Sequence, residues 1–192
     1  MRYGPEHKQA THARILDAAG KLFRKEGFGG ASVERVMKAA GLTVGGFYAH
    51  FASKEALLGE TLRAVLTERR GRWLGGLEEL KGAEWLSHFV RRYLSRQHRD
   101  DTVVGCPLPS LFSDLTRASP ETQAVLAEEL EVLLREVEAR LAAEGEEKAR
   151  ERALATLALC FGTLTLARAT ASQPLSDELL QAARAFLLSD KR

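Results

Sequence analysis

Apolar residues recur at helical spacing along nearly the whole chain. Ile15, Ala18, Ala19, Leu22 and Phe23 follow the i, i+3, i+4, i+7, i+8 rule of a single helix face, and Val33, Val36, Met37 and Ala40 follow it again. The same stripe returns in Leu58, Thr61, Leu62 and Val65, in Trp85, Leu86, Phe89, Val90 and Tyr93, and in Leu108, Leu111, Phe112 and Leu115. No stretch carries the period-two alternation of a half-buried strand. Ser32, Thr43, Ser53, Ser119 and Ser176 stand where a helix start wants a side-chain acceptor for an orphan backbone N–H, and Pro120 follows Ser119 at the first helical position. Gly27 to Gly30, Gly41, Gly82, Gly105 with Pro107 and Pro109, Gly145 and Pro174 punctuate the stripes. Gly71, Gly75 and Gly76 leave two readings: a helix that ends there, or one that continues through Trp73, Leu77 and Leu80. The pattern predicts an all-α protein of about nine helices.

Composition changes this picture little, with 45% apolar residues in 192 indicating a globular core. Charge changes it more. Residues 1–54 hold 9 Lys/Arg against 4 Asp/Glu, a net +5, while the remainder holds 19 against 22, a net −3. The basic end is the one suited to a polyanion. Cys106 and Cys160 are too few for a disulfide framework, which fits a reducing cytoplasm. The longest uncharged apolar stretch, Ala153 to Ala167, has 15 residues. A membrane span needs roughly 20, so this stretch reads as a helix buried against protein, and no membrane association is expected.

The most informative segment is Ser32 to Lys54, SVERVMKAAGLTVGGFYAHFASK. Its first helix ends at Gly41, a residue free to take the left-handed conformation of a sharp turn. A second short helix follows, with Thr43 as its expected cap and Val44, Gly45 and Gly46 giving it a slim first turn. A slim helix N-terminus can enter a major groove, and its backbone N–H groups favour phosphate. Tyr48, His50 and Lys54 supply donors at its flanks. Helix, short turn and helix of this proportion form a helix-turn-helix, whose second helix reads base edges.

Gly41, Leu42, Thr43, Phe47, Tyr48, His50, Phe51, Ser53, Lys54, Glu55, Ala56 and Leu57 resemble the recognition-helix signature of the TetR family of bacterial repressors. With the two helices before it, the likeness covers roughly the first 60 residues; beyond them only the helical layout and length agree. The resemblance implies an N-terminal three-helix DNA-binding domain over residues 1–54 and a helical ligand-binding and dimerisation domain over 55–192. It implies phosphate contacts from Ser32, His50 and Lys54, a phosphate or base contact from Tyr48, and base reading by Glu34, Thr43, Val44 and Gly45, with the backbone approaching closely over Gly45 and Gly46. Phe47 and Phe51 would be core. Val44 departs from members with a long polar side chain there, so direct readout is expected to be sparse.

A reading head of this size contacts too little DNA alone, so a homodimer on a palindromic operator is expected. Residues 147–171, with Leu154, Leu157, Phe161 and Leu164, and residues 176–188, with Leu179, Leu180, Ala183, Phe186 and Leu187, are the candidate dimer helices, and the same stripes would serve equally as intrachain core. Trp85, Phe89, Tyr93, Phe112 and Phe161 are candidates to line an effector pocket, and any helical bundle also needs such residues as core. Gly105-Cys106-Pro107 puts a thiol at a helix start, where its pKa is expected to fall, so Cys106 is a candidate sensor of electrophiles or oxidants beside the reading of a small packed residue. Cys160 reads as core. The sequence has no nucleotide-binding glycine loop, no metal-ligand spacing and no nucleophile motif, so no enzyme, cofactor or metal is expected. A DNA-binding architectural protein without an effector is the competing reading.

Overall fold

The computed structural model describes residues 5–102 and 104–189. Among them are nine α-helices, one 3-10 helix and no strand. In chain order the helices are α1 (Pro5–Gly30), α2 (Val33–Ala39), the 3-10 helix Val44–Ala49, α3 (Lys54–Leu74), α4 (Gly82–Tyr93), α5 (Arg96–Asp100), α6 (Leu108–Leu115), α7 (Pro120–Ala142), α8 (Ala149–Ala169) and α9 (Pro174–Leu188). The all-α expectation holds.

Several boundaries have identifiable causes. α1 departs from helical geometry at Gly27, where φ is 71° and the chain turns toward α2. Ser32, Ser53 and Ser119 act as expected, their hydroxyl oxygens accepting from the N–H of Arg35, Ala56 and Thr122. Ser176 does not: α9 begins at Pro174, and the buried Ser176 hydroxyl donates to the Ala167 carbonyl at 2.7 Å. Proline starts that helix because its fixed φ suits the first position and its missing N–H leaves nothing to cap there. α3 runs through Gly71 and Trp73 and ends at Leu74, with Gly76 at φ 75° turning the chain, so the helix falls between the two readings and stops short of Leu77 and Leu80.

The residues cluster into two units, one formed by the described residues of Met1–Leu66 and Ser110–Ala127, the other by those of Thr67–Pro109 and Glu128–Arg192. In the first, Ile15, Ala19, Phe23, Val36, Met37, Phe47, Phe51, Leu57, Leu58 and Leu62 are buried together. Each large apolar side chain so removed from water contributes about 1.5–3 kcal/mol, which is what holds the short α2 and 3-10 elements in place. In the second unit α8 packs on α9 and on α5, and α4 on α9, around Trp73, Trp85, Phe89, Tyr93 and Phe161. α8 spans 21 residues, longer than its uncharged stretch, and is long and apolar enough to cross a membrane by length and composition. Of its apolar window, 44% is buried inside the structure.

Candidate nucleic-acid interface

The turn between α2 and the 3-10 helix is built from backbone hydrogen bonds. Gly41 N–H donates to the Lys38 carbonyl at 3.0 Å and Leu42 N–H to the Met37 carbonyl at 2.9 Å, the paired closure of a helix that ends on a left-handed glycine. Gly41 has φ 68°, so a side chain there would be strained. Arg14 of α1 adds a third tie, its guanidinium donating to the Ala40 carbonyl at 2.6 Å. The angle at which the next element leaves α2 is therefore set by main chain and by one arginine.

That next element is the short second helix, and it is of the 3-10 kind. Gly45 and Gly46 are poor helix formers, and its turns close by i to i+3 bonds such as His50 N–H to the Phe47 carbonyl at 2.9 Å. Thr43 sits at the cap position but makes no side-chain cap bond. The reason is local: Gly46 N–H, the donor its hydroxyl would have received, goes to the Thr43 carbonyl at 3.2 Å in the tighter turn. Phe47 and Phe51 anchor the element in the core, stacked with ring centroids 5.6 Å apart.

What this leaves outside is six of the expected contacts. Ser32, Glu34, Thr43, Val44, Gly45 and Tyr48 are exposed, Tyr48 at 74% and Val44 at 45%, which are high values for large apolar-bodied side chains. A Cβ built on Gly45 would meet nothing within 4 Å, so this slim turn is open to an approaching surface, and Gly46 is half-buried behind it. His50 and Lys54 are less available than expected. His50 is half-buried, its Nδ1 has no hydrogen-bond partner among the described residues, and burial with His12, Lys8 and His7 nearby lowers its pKa. The Lys54 ammonium donates to the Phe28 carbonyl at 2.6 Å and lies 4.2 Å from the centre of the Phe28 ring, with its pKa lowered by burial. Lys54 thus ties the start of α3 to the end of α1.

Sequence reasoning missed three basic side chains of the first unit. Lys8 and His7 of α1 are exposed and close enough to His50 to depress its pKa, and Lys38 is exposed one turn beyond Glu34 on α2. Their signal was the basic count of the first 54 residues, which does not say which cations share a face.

In the second unit the effector candidates are buried. Trp85 stacks on Phe89 with centroids 5.0 Å apart, and Tyr93 meets the edge of Trp73 at 5.2 Å and Phe161 at 5.7 Å. Trp85 borders a cavity of about 650 Å³ with Arg70, Leu74, Lys81, Glu136 and Arg140. Phe112 is half-buried on α6 and belongs to the first unit. Cys106 corrects an expectation: its thiol is fully buried and burial pushes its pKa up to about 11, outweighing the donors that pull it down. The charged form is disfavoured without water, whatever the nearby helix start contributes. Cys160 is buried as expected, its pKa up to about 12. On α8 the stripe of Leu157, Phe161 and Leu164 faces the core, leaving Leu154, Ala155, Ala158, Gly162 and Leu166 exposed, and on α9 Leu175, Ala182 and Phe186 are exposed.

Residues 15–61 match the family of bacterial regulatory proteins of the tetR type. The HTH-type transcriptional regulator UidR of Escherichia coli strain K12 is 33% identical over 91 residues, 47% of this chain and 44% of UidR. The HTH-type transcriptional repressor KstR2 of Rhodococcus jostii strain RHA1 is 35% identical over 66 residues, 34% of this chain and 32% of KstR2. The chain is thus matched over less than half the length of these curated relatives. The reduced form of E. coli NemR superposes with a TM-score of 0.80 over 93% of this chain and 95% of that one, at 20% identity, a likeness of fold.

Proposed function

The chain belongs, through its residues 15–61, to the tetR family of bacterial regulatory proteins, and from this premise we propose that it is a cytoplasmic repressor that binds a palindromic operator as a homodimer and is released by a small molecule. Residues 1–54 form the reading head, and residues 55–192 receive the effector and join the two copies. The observation that carries the reading is the exposed turn over Val44, Gly45 and Tyr48, held at a fixed angle by Gly41 and backed by buried Phe47 and Phe51. An apolar side chain at the slim end of a groove-sized element suits a thymine methyl and groove shape, with Tyr48, Ser32 and Lys8 toward phosphates.

Pairing through α8 and α9 is supported by the exposed apolar face of Ala155, Ala158, Gly162, Leu166 and Phe186, a surface of the kind that two copies bury against each other. Two heads must stand about 34–36 Å apart to enter successive major grooves. α3, which starts at Lys54 beside the head and ends at Leu74 in the second unit, is the lever by which an effector alters that spacing. Such an effector must bind the released form more tightly than the operator-bound form, since equal affinity shifts nothing.

The test is a selection of bound fragments from random duplex DNA at stated, near-physiological salt, because non-specific binding falls steeply with salt. A shared palindrome is the expected result. Bound DNA with no common sequence would overturn the operator reading and favour an architectural role.

A further inference from the structure

Two arginines of the second unit stand in sharp contrast. Arg168 on α8 is half-buried and fully engaged: its guanidinium donates to the carbonyls of Arg99 at 3.1 Å, Cys106 at 2.7 Å, His98 at 2.9 Å and Asp101 at 3.3 Å. Arg69 on α3 is more deeply buried, 4% exposed, yet its Nε and Nη1 meet no acceptor among the described residues. Only Nη2 reaches a partner, the largely exposed Glu68 carboxylate at 3.5 Å. The Tyr93 hydroxyl is buried too, and among the described residues only the weak Cys106 thiol stands beside it. Trp73 links the two groups: it follows Arg69 by one turn of α3, and its ring meets that of Tyr93 at 5.2 Å.

A buried cation with idle N–H groups is costly, and buried donors in folded proteins are almost always met. Among the described residues none accepts from these N–H groups, which leaves them available to an acceptor from outside the chain. There is room for its approach. Arg69 precedes Arg72 and Trp73 by one turn and so shares their face of α3, and those two residues border a cavity of about 420 Å³ with Arg92, His98 and Asp101. Asp101 brings the one carboxylate of that lining, against two arginines, and its Oδ1 already accepts from Val104 N–H at 2.8 Å. Trp73 packs against both His98 and Tyr93, so the cavity and the idle donors share a wall of aromatic rings.

We propose that this unit binds a small carboxylate-bearing molecule, its anionic end held by Arg69 Nε and Nη1 with the Tyr93 hydroxyl, and its apolar body against Trp73 and Tyr93. This deepens the effector reading above and rests on it. Guanidinium suits a carboxylate because the hydrogen bonds are charge-assisted on both sides, and a low-dielectric site strengthens them.

The experiment is thermal denaturation and calorimetry of the full chain, without DNA, with acetate, benzoate and hexanoate, each against its neutral amide at equal ionic strength. At least one carboxylate is expected to stabilise the chain saturably and to bind at least tenfold more tightly than its amide. Arg69→Met should lose that preference at least tenfold, while its ligand-free Tm equals or exceeds that of the wild type, because an unpartnered buried charge has gone. Tyr93→Phe should weaken the same carboxylate with the fold intact. No carboxylate outperforming its amide, unchanged binding in Arg69→Met, or a lower ligand-free Tm in that variant would each overturn the proposal. A chain that ignores carboxylates yet still selects a palindrome would refute this site and leave the operator reading standing.

Discussion

His98 shows how a single side chain is set by what surrounds it. Its Nδ1–H donates to the Tyr93 carbonyl at 2.7 Å and its Nε2 accepts from Cys106 N–H at 2.9 Å, which spends both nitrogens on the neutral ring. Burial then lowers its pKa from the ordinary 6.5 to about 4. The unfolded chain takes up a proton near pH 6.5 that the folded one refuses, so stability is full above pH 6.5 and is lost as the pH falls toward 4. The loss should be on the order of 3 kcal/mol, read as a falling Tm across that window. His98→Gln should flatten the dependence, and an unchanged slope would assign the acid sensitivity elsewhere. Cys106 leads to a kinetic expectation. A buried thiol with its pKa at about 11 should react with iodoacetamide at pH 7.4 at least about a hundredfold more slowly than glutathione, and rapidly once denatured.

At the scale of elements, the head depends on which groups are committed to the fold and which are left over. Tyr48 is left over: its ring meets Phe47 edge-on at 5.2 Å while most of it faces solvent. Tyr48→Ala should therefore weaken binding to the selected duplex about tenfold or more with little change in Tm. Lys54 is committed, so Lys54→Ala should also cost about 1–2 kcal/mol of stability by removing its hydrogen bond and its contact with the Phe28 ring. Measuring affinity and Tm together separates the two roles, and equal effects in both variants would contradict the assignment. The helix stripes and the Gly41 turn were legible in the sequence because period and left-handed glycine are local properties. The 3-10 form of the second element was not, nor was the loss of the Thr43 cap, because both follow from which acceptor Gly46 N–H takes.

For the whole molecule the question is what covers α8 and α9. Leu166 is 55% exposed and Phe186 57%, on neighbouring helices that also expose Ala158 and Gly162. Leu166→Glu should leave the protomer folded, since the side chain is already in solvent. It should shift sedimentation from dimer to monomer and reduce affinity for the selected duplex more than tenfold; a dimer that survives would rule out this face. The sequence by itself determined the all-α class, the helix-turn-helix and its exposed Val44 to Tyr48 turn, because these depend on residues within a few positions of one another. Only the tertiary structure decided which side of α8 is core, that Lys54 is tied to Phe28, that Cys106 is buried with a raised pKa, and that Arg69 is enclosed with Nε and Nη1 unmet among the described residues. Those outcomes depend on residues distant in the chain meeting in space, where burial and the supply of partners outweigh the local pattern.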